Sequence, residues 1–408
     1  MVLFTTGTSV LLPALGDISG FLRNDTESIN STSTDYGHIV YQYASAVLNP
    51  ASPNDIASLI LSANNNSAPF SVAARGQGHS VRGQALTSDG VVINMTALIS
   101  NGSRIVVFES PSLGSYADVG GEQRWIDVLR ATLDRGLTPV SWTDYLYLSV
   151  GGTLSNAGIS GQTFRYGPQI NNVYELDVVT GKGELVTCSS NKVPGLFYAV
   201  LGGLGQFGII TRARIPLEPA PNRAKWVRMM YRNFSAFSKD QERLMANNGF
   251  DYLEGFLLMK QGPLDLSFYP LLDQPRITAL INQYGIIYYI EAAKYYGDST
   301  RPTVDKIFWI EWDGRMSAVI PDEDVCYVVG LLHASGFNDW QAFDEVNRQI
   351  LQFCNDAGIL VKQYLPHYET QEDWKNHFGT KWQSFRDRKV RFDPNKILAP
   401  GQRIFSVY

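Results

Sequence analysis

Phe70-Ser71-Val72-Ala73-Ala74-Arg75-Gly76-Gln77-Gly78-His79-Ser80 joins an apolar β-type run to a glycine-punctuated loop. A strand over 70–74 ending on such a loop can turn backbone N–H groups inward and form a nest for an anion such as pyrophosphate. His79 lies within the loop, where a ligand would pass, and a neutral imidazole nitrogen is a nucleophile. The same pattern also describes a plain turn with a surface histidine, and the local sequence leaves both readings open.

Upstream, Ser52-Pro53-Asn54-Asp55 opens a helix: Ser52 suits the cap, Pro53 the first helical position, and Asp55 the positive end. Ile56, Leu59, Ile60 and Ala63 then share one face. Downstream, strands are predicted over 91–94, 105–108, 173–179 and 209–215. A helix carries Trp125, Val128, Leu129, Thr132 and Leu133 and closes at Gly136. Residues 196–201 are helix-like, and 150–161 are rich in Gly, Ser and Ala, which permits close backbone approach to something flat or to a phosphate. Pro216, Pro219 and Pro221 mark a boundary, because proline cannot continue a central strand. Beyond it, strands are predicted over 286–293 and 324–332. A helix is predicted over 341–357 with Phe343, Val346, Ile350 and Cys354 inward, and 392–402 reads as a rigid loop. This mixture, with its Pro-rich break, predicts an α+β chain of two domains.

The 408 residues are comfortable for two domains. No apolar run approaches the ~20 residues that span a bilayer, so no membrane partner is expected. The formal net charge of −5, without any basic block, argues against nucleic acid, whose binding rests on phosphate neutralisation. Cys188, Cys326 and Cys354 form no Cys-x-x-Cys pair and the histidines have no ligand spacing, so no metal site is expected. N-glycosylation triplets begin at Asn24, Asn30, Asn65, Asn94, Asn101 and Asn233. Their cluster near the N-terminus fits a secretory protein, with Asn94 reading as a chance match. Residues 1–16 make a poor signal peptide, lacking a positive charge before the apolar stretch and containing a Pro.

Gly203-Leu204-Gly205-Gln206-Phe207-Gly208 matches G-x-G-x-x-G, but a helix-like segment precedes it and a β-type run follows. A dinucleotide fingerprint needs the reverse order, so these glycines serve packing against a cofactor or another strand. Asp144, between Trp142 and Tyr145, would be partly desolvated, which raises a carboxyl pKa and makes a usable base. A capping or turn aspartate is the competing reading. Glu254 follows the boundary and could reach a cleft or be an ordinary surface residue. Tyr364 and His367 are suggestive in the same way, whereas His38, His333 and His377 read as structural or solvated.

Taken together, residues 73–80, 142–159 (Trp142-Thr143-Asp144-Tyr145-Leu146 onward), 202–211, 250–255 and 394–405 resemble the cytokinin dehydrogenases, flavoproteins of the vanillyl-alcohol-oxidase type. The resemblance implies an FAD-binding domain from residues 1–217 plus 363–408, with an antiparallel-sheet substrate domain inserted over 218–362. It implies FAD linked covalently through His79. Ala74, Gly76, Gln77, Gly78, Ser80 and Gln84 would line the cofactor, completed by Asp144, Ser149, Ser155, Ile159 and Ile209. Tyr364, Ala399 and Gln402 would return from the C-terminal part. The implied reaction is oxidation of N6-isoprenoid cytokinins at the side-chain secondary amine, with Asp144 as base and Glu254 guarding the cleft. Hydride goes to FAD, and imine hydrolysis releases adenine and an unsaturated aldehyde. A quinone or oxygen would reoxidise the flavin. A monomer, secreted to the apoplast or held in the vacuole, is expected.

The middle of the chain departs from that family. After Tyr295-Tyr296-Gly297, Thr303-Val304-Asp305-Lys306 passes almost at once to Trp312-Asp313-Gly314-Arg315, so the substrate domain reads as shortened. Two alternatives follow: a related covalent flavin oxidase with another substrate, or a truncated, non-catalytic flavin- or cytokinin-binding form.

Overall fold

A computed structural model describes residues 16–247, 249–260, 266, 269–297, 313–321, 329–330 and 340–405. The first of its sheets holds β1 (Leu22–Arg23), β2 (Ala46–Leu48), β3 (Val72–Arg75) and β4 (Val91–Asn94), in the order β1-β2-β4-β3. β2 and β3 both run parallel to β4, and the helix Pro53–Asn65 makes the crossover between β2 and β3. That helix starts as its sequence predicts. Pro53 sits in the first turn, and the Asp55 carboxylate accepts from the backbone N–H groups of Ala51 and Ser52 at 2.9 and 2.8 Å. Ile56, Leu59, Ile60 and Ala63 are buried along one face. β2 and the first three residues of β4 are apolar and buried because this parallel part of the sheet is covered on both faces.

The second sheet is antiparallel: β5 (Ile105–Ser110), β6 (Gly114–Gly120), β7 (Leu137–Pro139), β8 (Glu175–Thr180), β9 (Leu185–Ser189) and β10 (Gly208–Pro219). Its order is β5-β6-β10-β8-β9, with β7 also on β10. Along β10, Thr211, Ala213, Ile215 and Leu217 face the core. Alternate positions carry Arg212 and Arg214, which pair with Asp118 and Asp177 at 2.6–3.0 Å. The strand does not stop at Pro216 as the sequence suggested. Pro216 pairs with Tyr116, Leu217 with Pro139, and β10 runs to Pro219. A proline is tolerated there because β6 gives way to β7 as the partner strand, and the Pro216 carbonyl still accepts from Val140 N–H at 3.3 Å.

A third, antiparallel sheet follows at once: β11 (Arg223–Tyr231), β12 (Tyr252–Met259) and β13 (Ile286–Tyr296), in the order β11-β13-β12. The helices Phe234–Ala246 and Gln274–Tyr284 pack on it through Phe237, Ile277 and Ile281. The helix Trp340–Asp356 also forms, but Val346 and Ile350 are exposed and Cys354 is half-buried, contrary to the inward stripe expected of them. Periodicity identifies an apolar stripe and says nothing of what covers it. Apart from Val329 and Gly330, the strand expected over 324–332 lies outside the described residues.

The C-terminal segment returns to the first sheet. Phe385 of the helix Trp382–Phe392 packs on Phe378 and Phe207, and Leu398 forms a parallel bridge with Val72. Lys389 is fully buried. It donates to the Gln206 and Leu398 carbonyls and pairs with Asp393 at 2.8 Å, while Asp393 accepts from the backbone N–H groups of Ile397 and Leu398. A buried ammonium is tolerable only when so completely paired. It fixes the tail beside β3.

Candidate active site

Arg75 ends β3, and the loop 76–80 turns under it. At Gly76 an added Cβ would lie 2.3 Å from Ser149 Oγ, so no larger residue fits. Gly78 has φ +72°, and a Cβ there would lie 2.6 Å from Arg75 Nη2. Ser149 is buried at the start of the helix Val150–Asn156, where the small-residue run permits this approach. Ser155 donates to the Gly151 carbonyl within that helix. His79 is stacked on Tyr36 at 4.4 Å between ring centroids and lies 5.0 Å from Tyr145. Burial, then the Arg75 charge, lowers its pKa, so its imidazole is neutral and keeps a free nitrogen lone pair.

The tail closes over the same loop. Ala399 N–H donates to Val72 O, and a Cβ on Gly401 would lie 2.0 Å from Gly83 O. The buried Gln84 amide reaches Pro366 O at 3.5 Å. Ala74 and Ile209 share one core with Ile397 and Leu398. Tyr364 accepts from Gly158 N–H at 3.1 Å through its hydroxyl, next to Ile159. The glycine run 203–208 lies between the helix Pro194–Val200 and β10, and Leu204 N–H donates to Ser155 O. It is a packing turn, as its reversed order implied.

Three buried polar atoms here lack a protein partner: Arg75 Nη1, Ser80 Oγ and Gln402 Oε1. Buried polar groups are normally satisfied, so these mark where a polar ligand is held. Two donors and an amide oxygen beside a glycine cradle fit a dinucleotide's phosphates and hydroxyls, and the site suits FAD. Bound there, FAD supplies a two-electron acceptor.

Asp144 is an exposed residue whose carboxylate is nonetheless braced by protein groups. Its Oδ1 accepts from Gly161 N–H and from the Tyr252 hydroxyl, each at 3.3 Å. Glu254 bonds to it as well. Tyr252 and Glu254 are two apart on β12 and so present the same strand face. Leu253 N–H donates to Gly161 O at 2.8 Å, which pins β12 against the 160–163 turn. Burial raises the Asp144 pKa. Glu254 is pushed up to about 7, by burial and then by the Asp144 charge. Two carboxyls in contact resist ionising together, so the pair takes up a proton more readily than separate carboxylates would. Tyr252 was not singled out in the sequence, although it lies within the 250–255 match; the i, i+2 relation to Glu254 was the available signal.

His367 is half-buried near Arg82 and Arg403, whose charges reinforce the lowering of its pKa by burial. His377 is buried among Tyr368, Trp374 and Phe378 with its pKa near 4, a core histidine. His38 is exposed. Cys188 and Cys354 are free thiols. A depression of about 530 Å³ along the helix Gln274–Tyr284 carries no titratable group and plays no part in this site.

This fold and loop define an FAD-dependent oxidoreductase. A family model described as an FAD binding domain matches residues 44–189. Another, "Cytokinin dehydrogenase 1, FAD and cytokinin binding", matches 221–309 and 307–405. The chain is 43% identical to cytokinin dehydrogenase 4 of Arabidopsis thaliana, over 98% of this chain and 95% of that one. It is 41% identical to cytokinin dehydrogenase 6 of Oryza sativa subsp. japonica, over 95% and 92%. The chain belongs to the cytokinin dehydrogenase family. Among solved structures, 6-hydroxy-D-nicotine oxidase from Arthrobacter nicotinovorans shares the fold with a TM-score of 0.60 at 15% identity, over 92% of this chain and 95% of that one. The Physcomitrella patens BBE-like 1 protein gives 0.52 at 16% identity, over 71% and 57%. The Arabidopsis alignment runs over 499 positions against a chain of 408 residues. Close to a fifth of it has no counterpart here, and the family match breaks at 307–309, where the sequence reads as shortened.

Proposed function

We propose that this chain oxidises N6-isoprenoid cytokinins at the side-chain secondary amine. The observation that carries the reading is Asp144 braced by the Tyr252 hydroxyl and Gly161 N–H beside the Glu254 carboxyl. Asp144, ionised, accepts the amine proton as the adjacent carbon gives up hydride to the bound oxidant. A carboxylate held by two donors beside a second carboxyl, with its pKa raised, is a positioned base of suitable strength. The C–N bond becomes an imine. Water adds to its carbon, and the C–N bond breaks to release adenine and an unsaturated aldehyde. Glu254 acts beside the base rather than as a distant guard of the cleft.

His79 carries the flavin covalently in this reading, supported by its neutral nitrogen and its place in the glycine loop. Ala74, Gly76, Gln77, Gly78, Ser80, Gln84, Ser149, Ser155, Ile159, Ile209, Tyr364, Ala399 and Gln402 hold the remainder. A quinone or oxygen reoxidises it. The protein acts as a monomer, glycosylated and secreted to the apoplast or delivered to the vacuole. Exposed Asn24, Asn30, Asn65 and Asn233 support glycosylation, whereas Asn94 is engaged with Asn49 and Thr96.

Anaerobic N6-isopentenyladenine should bleach the flavin band of wild type and leave that of Asp144→Asn unchanged. No bleaching of wild type would refute the activity. After acid precipitation the yellow colour should stay in the pellet, and His79→Ala should release it. Colour in the wild-type supernatant would refute the covalent link.

A further inference from the structure

A pocket of about 280 Å³ opens between the second and third sheets, lined by Thr138, Trp142, Gln162, Glu218, Ala224 and Tyr295, with Asn222 and Arg223 at its rim. Cross-strand pairing builds it. Thr138 of β7 lies opposite Glu218 of β10, and Ala224 of β11 opposite Tyr295 of β13, so each pair presents its side chains on one face. The closed end is polar and unsatisfied. Thr138 and Gln162 are 4% and 3% exposed, and neither Thr138 Oγ1 nor Gln162 Oε1 has a partner. Buried atoms of this kind call for a ligand or ordered water. Burial, followed by the nearby Asp251 charge, pushes the Glu218 carboxyl up to about 7, against the pull of Arg165 and of its bond with Tyr166. Trp142 and Tyr295 add aromatic surface.

From this lining we infer that the pocket, which neither Asp144 nor Glu254 lines, is a second small-molecule site for a planar nitrogen heterocycle bearing N–H donors. Gln162 Oε1 and the Glu218 carboxyl offer two acceptors to one polar edge, and aromatic walls suit a flat ring. The volume lies at the lower limit of ligand pockets, which fits a single ring system and excludes a bulky ligand. Free adenine is the probe with this chemistry. Only its choice rests on the reading above; the pocket itself does not.

Equilibrium dialysis of the FAD-loaded full chain against adenine should then report two sites. Ala224→Trp fills the mouth from an exposed position, and Gln162→Leu removes the buried acceptor. Each should weaken one site at least about tenfold and leave the flavin spectrum unchanged. Asp144→Asn should spare that same site, so failure of the active-site reading is told apart from failure of this one. If Gln162→Leu does not fold, Ala224→Trp decides alone. A single site in wild type, or two sites indifferent to Ala224→Trp, would mean that the pocket holds only solvent and would overturn the inference.

Discussion

Gly161→Ala is a one-carbon test of how the base is held. An added Cβ would lie 2.7 Å from Tyr252 Cζ and 2.9 Å from Glu254 Cγ. Both are well inside ordinary van der Waals contact, so the ring and the carboxyl must retreat. Moving Tyr252 Cζ out to an ordinary contact takes roughly 0.7 Å. Its hydroxyl, already at 3.3 Å from Asp144 Oδ1, then leaves hydrogen-bonding range. Overpacking of this kind costs about 1–3 kcal/mol in stability. Misplacing a catalytic group by a fraction of an ångström to an ångström costs up to about 100-fold in rate. We therefore expect kcat/KM for an N6-isoprenoid adenine to fall about 10- to 100-fold, with the flavin-to-protein absorbance ratio unchanged because Gly161 is not on the FAD loop. Steady-state kinetics together with the visible spectrum decide it. Near-normal turnover in a fully flavinylated Gly161→Ala would show that the Tyr252 and Gly161 contacts do not position Asp144.

Glu254→Gln should keep a donor beside Asp144 while removing the group that titrates near 7. The kcat/KM profile should lose a step near pH 7 and keep the acid limb, which burial sets above the ordinary carboxylate range; a step surviving in the variant would show that Glu254 is not the group responsible for it. Glu218 has a folded pKa of about 7, raised from 4.5. The folded state therefore holds its proton longer than the unfolded chain, and stability is lost as pH rises through that window. Glu218→Gln should accordingly raise Tm at pH 8 and leave it nearly unchanged at pH 4, and equal shifts at both pH values would refute the assignment. Lys389→Met leaves Asp393 buried without its counter-ion and should cost about 3–5 kcal/mol in denaturant unfolding. It should also loosen the tail that carries Gln402, read as weaker flavin retention in His79→Ala/Lys389→Met than in His79→Ala alone.

Local chemistry made much of the fold legible. The Pro53 helix, the strand into Arg75 and the Gly136 stop follow from capping, φ preference and periodicity, each acting within a few residues. Features that depend on partners were not legible. Pro216 stays in a strand because two different strands take turns beside β10. The stripe on Trp340–Asp356 is amphipathic yet exposed at Val346 and Ile350. The site behaves the same way. Asp144 and Glu254 were each weak alone, because the fact that matters is their meeting across 110 residues of chain, and Gly161 brings it about. Lys389 was hidden for the opposite reason: a lysine on a charged helix gives no local sign that four acceptor oxygens surround it.

The shortened middle bears on the non-catalytic alternative, and the position of the break decides how. The groups proposed to handle the proton are held by β12, the 160–163 turn and Asp251. Asp251 pairs with Arg165 and with Lys294 at 3.3 Å, and accepts from Tyr295 N–H at 2.7 Å. All of these lie before residue 298, whereas the family match breaks at 307–309. Residues 261–269, between β12 and β13, also read as shortened, but the break itself follows β13, and the sheet that presents Tyr252 and Glu254 is formed. The loop that receives the flavin and the tail that closes it lie on either side of the break and meet through Val72 and Leu398. The position of the break thus gives no ground for the non-catalytic alternative, since Asp144, Tyr252, Glu254 and the loop and tail proposed to hold the flavin all lie outside it.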